Sequence, residues 1–367
     1  IRAVATSAVR EADNGSLLVE RIARETGIRL ELITGSEEAR LVHRAVSSRI
    51  DLTGGQWILV DLGGGSVEVS LADDAGMLWS QSHTMGSVRL LEELASSAED
   101  PGRFKRLLTE YVSVLRIPAP SQYWKPSGFI ATGGNIEELA LLAAATPDED
   151  GVSHLPVEDL RKLIGHLANL SYRERMEQLG LRDDRADVFL PAAMVYLRVA
   201  ELVGAETILV PHVGVKEGIL LDLAEDLTSH GTREERQSAQ LTQAAVSLGR
   251  RYMFDEAHGL HVADLAVQLF DALKELHGLG QAERRYLYTA ALLHDIGMFV
   301  APKKHHKHSL YLISRSDLPG LSAQEMLVVA NIARYHRRRP PSSHHHMFQR
   351  LAPKDRLAVT QLAPLLR

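Results

Sequence analysis

The chain has 367 residues, of which 45% are hydrophobic and 24% charged, a balance typical of an ordinary globular protein. Its formal net charge of −6 argues against broad, sequence-independent binding of nucleic acid, which requires a basic surface. The absence of cysteine excludes disulfides and thiolate metal sites, and no apolar stretch approaches the roughly 20 residues that cross a bilayer. Since no signal peptide is recognisable, we predict a cytoplasmic protein with neither nucleic acid nor membrane as a partner.

Neither end of the sequence has the character of a natural terminus. Ile1 stands inside an ordinary globular pattern, and Arg367 directly follows the apolar residues Leu362, Leu365 and Leu366. We therefore interpret the sequence as a fragment that lacks both ends of its parent protein.

Predicted helices and strands alternate along the first 222 residues. Residues 12–28 have the apolar spacing of an amphipathic helix that ends at Gly27, and residues 30–33 follow as a short strand. A buried strand over 57–62 stops at three glycines, and an alternating strand resumes over 66–71. Two strands joined by a glycine-rich turn predict a hairpin, unlike the dinucleotide-binding unit, in which the glycines open a helix.

Two more strands belong to the same region. One covers 129–132 and leads through two glycines into a helical pattern, and the other covers 206–211 and ends near Gly214. Strands that alternate with helices predict an α/β fold up to about residue 222.

The remainder of the sequence has a different character. Residues 226–240 are polar and predict a linker or a surface helix. Beyond them apolar residues recur at helical spacing without convincing strands, which predicts an all-α region. One apolar face is formed by Val262, Leu265, Ala266, Leu269 and Leu273, and another by Leu287, Ala290, Leu293 and Ile296.

The strongest chemical signal is the segment 61–68, which reads Asp-Leu-Gly-Gly-Gly-Ser-Val-Glu. Consecutive glycines at a strand end let the backbone approach an anion, so that N–H groups point at phosphate oxygens. Asp61 and Glu68 flank the turn, where they could converge on one Mg²⁺, an ion that prefers carboxylate oxygens and bridging waters. A plain hairpin whose glycines only supply positive φ angles would show the same run, but the flanking carboxylates favour phosphate binding.

Three weaker signals each have an ordinary alternative. Residues 133–135 form either a second phosphate clamp at a helix start or a simple helix cap, with Asn135 as N-cap and Glu138 completing a capping box. Glu38 follows a predicted helix start, where acids interact favourably with the macrodipole whether or not they carry chemistry. Arg10 has the alternative of an ordinary surface arginine.

Together these segments resemble the Ppx/GppA phosphatases, which are exopolyphosphatases and guanosine pentaphosphate phosphohydrolases of the acetate kinase–actin–Hsp70 superfamily. The segment 61–68 is similar to the family's phosphate loop. The other similar segments follow in the family's order: Ala5–Arg10, Gly35–Arg40, Met85–Val88, Thr132–Gly134 and Gly214–Gly218.

The resemblance implies a role for each candidate residue. Glu38 resembles the general base that takes a proton from the attacking water, and Arg10 matches a ligand of substrate phosphate. Asp61 and Glu68 match the acids that hold Mg²⁺ and order the water. The loops that grip successive phosphates are matched by Gly63, Gly64, Gly65, Ser66, Gly133, Gly134 and Asn135. Such a site suits phosphoryl transfer, which depends on positioning and charge neutralisation.

The resemblance also implies the fold, namely α/β actin-like domains (acetate kinase–actin–Hsp70, ribonuclease H-like) followed by an all-α HD-like domain. Residues 1–42 would be the C-terminal part of the first actin-like domain and 43–222 the second. A linker over 223–238 would lead to an HD-like domain over 239–367 that is incomplete at its C-terminus. The family's earlier Asp-x-Gly-Ser-type loop is absent from this sequence, which predicts weak or no turnover by the chain in isolation.

Histidines of the C-terminal region resemble the metal site of HD hydrolases. They follow in the order His258, His294 with Asp295, His308 and His336, while the late aspartate of that site is missing. Imidazole and carboxylate ligands suit transition metals, although helical histidines also occur as satisfied packing residues. Basic clusters at 303–308 and 336–339 form either a solvated face or a track that steers a polyanion.

The resemblance therefore predicts a Mg²⁺-dependent hydrolase that releases terminal phosphate from inorganic polyphosphate, with conversion of guanosine pentaphosphate (pppGpp) to ppGpp left open as a second activity. It also implies a homodimer. Two alternatives remain open at this point: a non-catalytic sensor of polyphosphate or nucleotide, and a small-molecule kinase of the same superfamily. The context of Glu38, Ala39 and Arg40 matches the phosphatases rather than the kinases.

Overall fold

The computed structural model describes residues 2–74, 76–94, 101–117, 126–180, 186–228, 233–318, 320–337 and 340–367. Residues 229–232 of the predicted linker and Arg338 and Arg339 of the second basic cluster lie outside the described residues. The chain divides into two compact units, Ile1–Leu227 and Thr228–Arg367. In the described part of the chain, no helix is both long enough and apolar enough to span a membrane.

The first unit is built on a six-stranded mixed sheet with the order β5-β4-β3-β6-β8-β7. A separate parallel pair, β1 with β2, precedes it. The strand bounds are β1 Ala3–Ala5, β2 Leu30–Leu32, β3 Trp57–Leu62, β4 Val67–Asp73, β5 Gly76–His83, β6 Gly128–Thr132, β7 Ser153–Pro156 and β8 Thr207–Val210. The predicted hairpin is confirmed, since β3 pairs antiparallel with β4, and β3 also pairs parallel with β6.

Helices of the first unit cover both faces of this sheet, while the first two helices contact the separate β1–β2 pair. Their bounds are α1 Ser7–Arg10, α2 Gly15–Thr26, α3 Gly35–Ser47, α4 Ser87–Leu94, α5 Pro101–Ser113, α6 Gly134–Leu142, α7 Val157–Asn169, α8 Tyr172–Leu179, α9 Phe189–Val203 and α10 Val215–Thr228. The predicted helix over 12–28 is α2, which is shorter than expected and ends at Gly27 in the left-handed conformation, with φ of 72°.

Strand β3 is buried on both faces, which explains its nearly unbroken apolar sequence. Ile58, Val60 and Leu62 belong to the core formed with α6, α7 and α9, whereas Leu59 packs with residues of α3. Since side chains alternate across a strand, Asp61 lies on the same face as Leu59. The sheet therefore directs Asp61 toward the face that α3 covers.

The second unit contains only helices in its described residues. They are α11 Arg233–Arg251, α12 Glu256–Ala272, α13 Lys274–His277, α14 Gln281–Leu293, α15 His305–Ser314, α16 Ala323–Arg334, α17 His346–Gln349 and α18 Pro353–Leu362, with 3-10 turns at Ile296–Phe299 and Ala363–Leu366. The prediction of an all-α region after a polar segment is thus confirmed.

One of the two predicted apolar faces of this unit is buried and the other is not. Leu287, Ala290, Leu293 and Ile296 all lie in the core. In α12, however, Leu265 and Leu269 are 46% and 50% exposed, while Phe270 is buried. This helix is apolar around much of its circumference, with a second set at Ala263, Ala266, Val267 and Phe270 that also has helical spacing. Periodicity alone could not decide which set faces inward.

Candidate active site and a histidine cluster

The glycine turn between β3 and β4 is held by backbone hydrogen bonds to the start of α4. The carbonyl of Gly63 accepts from the N–H of Ser87 at 3.1 Å, and the carbonyl of Gly64 accepts from the N–H of Val88 at 3.1 Å. Such close approach requires a residue without a side chain at Gly86, where a Cβ would overlap the backbone of Gly64. The turn is therefore fixed through its carbonyl groups.

The N–H groups of this turn are used differently from its carbonyl groups. Those of Gly64 and Gly65 have no hydrogen-bond acceptor among the described residues. Neither glycine has a positive φ angle, so the plain-hairpin explanation, in which the glycines only supply left-handed backbone, is wrong. A Cβ at Gly65 would lie 2.9 Å from the hydroxyl of Ser7. The glycines thus permit close packing and leave two backbone N–H donors without an acceptor among the described residues.

A row of four polar side chains crosses the sheet beside this turn. In the strand register Asp61 lies opposite both Glu68 and Thr132, and Glu68 lies opposite Ser82. Thr132 donates from its hydroxyl to Oδ1 of Asp61 at 2.9 Å. Ser66 and Ser82 donate to Oε1 of Glu68 at 2.7 and 2.8 Å. Burial raises the pKa of both carboxyl groups, and the hydroxyl donors oppose that rise.

Glu38 approaches this row from the first turn of α3. The helix is capped by Thr34, whose side chain accepts from the N–H of Glu37. Glu38 is only 8% exposed, and its Oε2 is buried without a hydrogen-bond partner. Burial raises the pKa of Glu38 to about 8, with smaller contributions from the charges of Glu68 and Asp61. Three carboxyl groups therefore share one buried site.

Arg10 supplies the positive charge nearest to Glu38. Its Nη1 lies 3.9 Å from Oε2 of Glu38, which is an ion pair but too long for a hydrogen bond. The same nitrogen donates to the carbonyl of Ile33 at 2.6 Å, which anchors the guanidinium. Arg10 opposes the rise in the pKa of Glu38, but burial outweighs it.

The second predicted loop lies directly beside the first. Gly133, at the end of β6, has a φ of 99° and is the N-cap of α6. A Cβ there would lie 3.3 Å from Oδ1 of Asp61. The alternative of Asn135 as N-cap with a capping box is wrong, because Asn135 lies one position inside the helix after Gly134. Its side chain is buried and donates to the hydroxyl of Ser87 at 3.2 Å, which links the two loops.

The structure therefore brings together every residue predicted for the phosphate site, and it adds three that the sequence argument did not single out. Ser7 and Ser87 lie within two of the segments that resemble the family, although neither was assigned a role, and Ser82 stands in a strand whose local sequence carries no chemical signal. The strand register and the contacts of the glycine turn bring all three to the site.

The donor set suits a hard divalent cation. Glu38 and Glu68 are buried and Asp61 is half-buried, one arginine lies near them, and Oε2 of Glu38 lacks a hydrogen-bond partner. Carboxylate oxygens are suitable ligands for a hard divalent cation such as Mg²⁺, which keeps several of its waters when it is bound to protein.

In the second unit, Asp295 is surrounded by four histidines. Two groups of potential metal ligands share it, one with His258 and His294 and the other with His305 and His336. The predicted ligand His308 is in neither group. The inward face of α15 carries His305, His306, Ser309 and Ile313, and His308 lies to the side of it, so His305 takes the place expected for His308.

Known proteins resemble the chain over both units. The profile of the Ppx/GppA phosphatase family matches residues 1–227, and that of Ppx/GppA phosphatase, domain III, matches residues 242–367. The guanosine-5'-triphosphate,3'-diphosphate pyrophosphatase of Vibrio vulnificus is 26% identical over 344 residues, covering 92% of this chain and 66% of that protein. The protein of the same name from Aeromonas hydrophila is 27% identical over 336 residues, covering 90% of this chain and 65% of that protein.

Solved structures extend the likeness to the fold. The Ppx/GppA family member from Aquifex aeolicus has a TM-score of 0.51 and 26% identity, covering 62% of this chain and 75% of that one. An exopolyphosphatase from Cytophaga hutchinsonii has a TM-score of 0.50 and 26% identity, covering 61% and 74%. The predicted fold, α/β of actin-like type followed by a helical region, is confirmed.

The chain spans 66% of the length of the Vibrio vulnificus protein that it matches. The family profile covers 227 of its 367 residues, and the glycine turn with its carboxylates lies inside that match. This chain belongs to the Ppx/GppA phosphatase family.

Proposed function

We propose that this chain carries the catalytic site of a Mg²⁺-dependent hydrolase that releases the terminal phosphate of a polyphosphate or a guanosine pentaphosphate. One observation carries the proposal: Oε2 of Glu38 is buried without a hydrogen-bond partner beside two more carboxyl groups and a glycine turn with open N–H donors. Glu38 as proton acceptor, the carboxylates that would hold a cation, and the N–H groups that would bind phosphate then lie next to one another.

Each residue has a distinct task in this proposal. The N–H groups of Gly64 and Gly65 hold the terminal phosphate, and Arg10 neutralises part of its charge. Glu38 accepts a proton from water as the water attacks the terminal phosphorus and the phosphoanhydride bond breaks. Asp61 and Glu68 would hold Mg²⁺, which neutralises charge on the phosphates.

The high pKa of Glu38 bears on its role as a base. A pKa of about 8 leaves the group largely protonated near neutral pH in the free protein. A cation beside Asp61 and Glu68 would remove part of the negative potential that helps to raise it. A bound cation would therefore favour the ionised form of Glu38, which is the form that accepts a proton.

Polyphosphate and guanosine pentaphosphate end in the same terminal phosphoanhydride. Some relatives are named for one of these substrates and some for the other. The Vibrio vulnificus protein is named for a guanosine nucleotide and the Cytophaga hutchinsonii protein for polyphosphate. Within this proposal, residues 1–42 belong to a first actin-like domain, 43–222 to a second and 239–367 to a helical domain, in a cytoplasmic homodimer.

The test compares phosphate release from polyphosphate and from pppGpp by the full-length protein, with and without Mg²⁺. Mg²⁺-dependent release from either substrate supports the proposal, and the ratio of the two rates decides the preference. Tight binding of both without release would instead favour the sensor. Transfer of phosphate from ATP to a small molecule would favour the kinase.

A further inference from the structure

Helix α3, which carries Glu38 in its first turn, packs against the sheet through one of its sides. Val42, Ala45 and Val46 of this helix lie in a buried cluster with Leu59 of β3. Residues four positions apart in a helix lie on the same side, so Glu38 shares the side of Val42. This is the side that faces Asp61 and Glu68.

Another side of α3 contacts helix α10 almost backbone to backbone. A Cβ at Gly218 of α10 would lie 2.1 Å from the carbonyl oxygen of Leu41 and 2.9 Å from its Cα, which is shorter than any real contact of this kind. Leu41 itself is completely buried. The absence of a side chain at Gly218 therefore sets how closely the two helices approach each other.

Four positions along α10 from Gly218, the carboxylate of Asp222 contacts three arginines. Its Oδ2 accepts from Nη2 of Arg40 at 2.5 Å and from Nη1 of Arg2 at 3.4 Å. Its Oδ1 accepts from Nη1 of Arg40 at 3.3 Å and lies 3.2 Å from Nε of Arg44. The side chain of Asp222 is only 13% exposed, so solvent and salt screen these contacts weakly. Asp222 therefore ties α10 to two successive turns of α3 and to the residue before β1.

Arg40 extends this connection to the first turn of α3. It donates from Nε and Nη2 to the two carboxylate oxygens of Glu37, at 2.9 and 2.8 Å. Such a two-bond contact fixes the orientation of both groups, because the guanidinium is planar and its donors are rigidly spaced. Glu37 directly precedes Glu38. A single guanidinium thus links Asp222 to the neighbour of the proposed base.

Glu38 depends on its backbone for its position. Its Oε2 has no hydrogen-bond partner among the described residues, and Nη1 of Arg10 is 3.9 Å from this oxygen, beyond hydrogen-bond distance. A general base must nevertheless lie within hydrogen-bond reach of the water that it activates. The contacts that hold α3 in place therefore take on the task that hydrogen bonds to Oε2 would otherwise perform.

We propose that Asp222 is a positioning residue for Glu38, acting through Arg40 and Glu37 to hold the first turn of α3 against the sheet, and that the close contact at Gly218 fixes the same helix. The catalytic consequence rests on the proposed function, because it requires Glu38 to be the base. The position of residue 38 does not rest on it. Removing the carboxylate of Asp222 leaves three guanidinium groups close together with one acceptor fewer, so α3 would shift.

Steady-state phosphate release by the full-length protein is the first test. Asp222→Asn should lower kcat by about 10- to 100-fold, the cost of a small misplacement of a catalytic group. KM should change by less than about threefold, since the phosphate loops lie on other elements. Asp222→Glu keeps the charge and should lose less. The matched control is Glu201→Gln, which breaks the ion pair of 3.1 Å between α9 and Arg161 of α7 and should leave kcat unchanged.

A double-mutant cycle separates positioning from general damage. If Asp222 acts through Glu38, Asp222→Asn should lower kcat in the parent but cause less than about a twofold further loss in Glu38→Gln, because residues that act as a unit are not additive. An equal loss in both backgrounds overturns the inference, as does an unchanged kcat in Asp222→Asn.

A thiol reporter tests the position of residue 38 without turnover, because the chain contains no cysteine. Glu38→Cys places one thiol in α3, and Ala168→Cys places one in α7, at positions that are both 8% exposed. Asp222→Asn should speed the reaction of a maleimide with the first thiol about tenfold or more, through local opening of α3, and leave the second unchanged. Gly218→Ala should act in the same way.

The thiol rates also distinguish this inference from the proposed function. Equal acceleration at both thiols means general destabilisation and overturns the positioning role, and so does an unchanged rate at residue 38. If Asp222→Asn fails to fold, Gly218→Ala decides by the same criteria. A protein that releases no phosphate but shows the selective acceleration contradicts the proposed function and supports the positioning. Normal phosphate release without that acceleration does the reverse.

Discussion

Oε2 of Glu38 lies 3.9 Å from Nη1 of Arg10 and accepts a hydrogen bond from no described residue, although it is buried. Arg10 is committed to the carbonyl of Ile33 through the same nitrogen. The glutamate is therefore close to a positive charge but is not neutralised by it. Burial and two neighbouring carboxylates dominate its electrostatics.

The first prediction concerns turnover. Glu38→Gln removes the proton acceptor but keeps the size of the side chain, so we expect kcat for phosphate release to fall by about 10²- to 10⁴-fold, the usual contribution of a general base. KM should change much less, since the loops that hold phosphate remain. The measurement is steady-state phosphate release by the full-length protein. Glu20→Gln, at an exposed position of α2, is the control, and an equal loss in both variants would contradict the assignment.

The second prediction concerns the pH dependence of stability without metal. Because the pKa of Glu38 rises from 4.5 to about 8 on folding, the folded state holds a proton that the unfolded state loses between these values. The free energy of unfolding should therefore fall, relative to Glu38→Gln, as pH rises from about 5 to about 8. Urea unfolding in chelator at several pH values measures this difference. A constant difference between the two proteins across that range would show that Glu38 is not perturbed.

The third prediction concerns the row of side chains across the sheet. Thr132→Val keeps the shape of the side chain but removes the hydroxyl that donates to Asp61 at 2.9 Å. A buried carboxylate that loses a donor costs about 1–3 kcal/mol of unfolding free energy, and its pKa should rise further. We also expect the Mg²⁺ concentration for half-maximal activity to increase. Thr360→Val, at an exposed position of the second unit, should leave both measurements unchanged.

The fourth prediction concerns the glycine turn. A Cβ in Gly86→Ala would overlap the backbone of Gly64 and Gly65, so the turn must shift, at a cost of about 1–3 kcal/mol for overpacking. Phosphate release should fall as well, because the open N–H groups move with the turn. Gly165→Ala is the contrasting control: it lies within α7 with nothing near its Cβ position, and it should stabilise by up to about 1 kcal/mol. Normal turnover by Gly86→Ala would contradict the role given to the turn.

Local features of this protein could be predicted from sequence because they depend on residues that are close together along the chain. The antiparallel hairpin joins β3 to β4 across only four residues, so the spacing of Asp61 and Glu68 already places them opposite each other. The helix α2 ends at Gly27 as predicted, and the structure shows this glycine in the left-handed conformation. The ordered motifs identified the family for the same reason, since each motif is one continuous turn or helix start.

Other features depend on packing between distant segments. The hydrogen bond from Thr132 to Asp61 joins residues 71 positions apart, and the approach of Arg10 to Glu38 depends on the separate placement of α1 and α3. The inward face of α12 was predicted wrongly because two apolar sets on the helix had the same period. Which set becomes buried depends on the neighbouring helices.

The histidine cluster also combines features that depend on neighbouring residues with features that depend on the packing of distant segments. The sequence by itself determined that His294 and Asp295 are adjacent and that further histidines follow, because residue identity and order need no fold. Only the tertiary structure decided that His305 rather than His308 faces Asp295, since the packing of α15 sets which of its sides points inward. Chemistry carried by neighbours in sequence is readable from the sequence, whereas chemistry assembled from separate elements requires their packing.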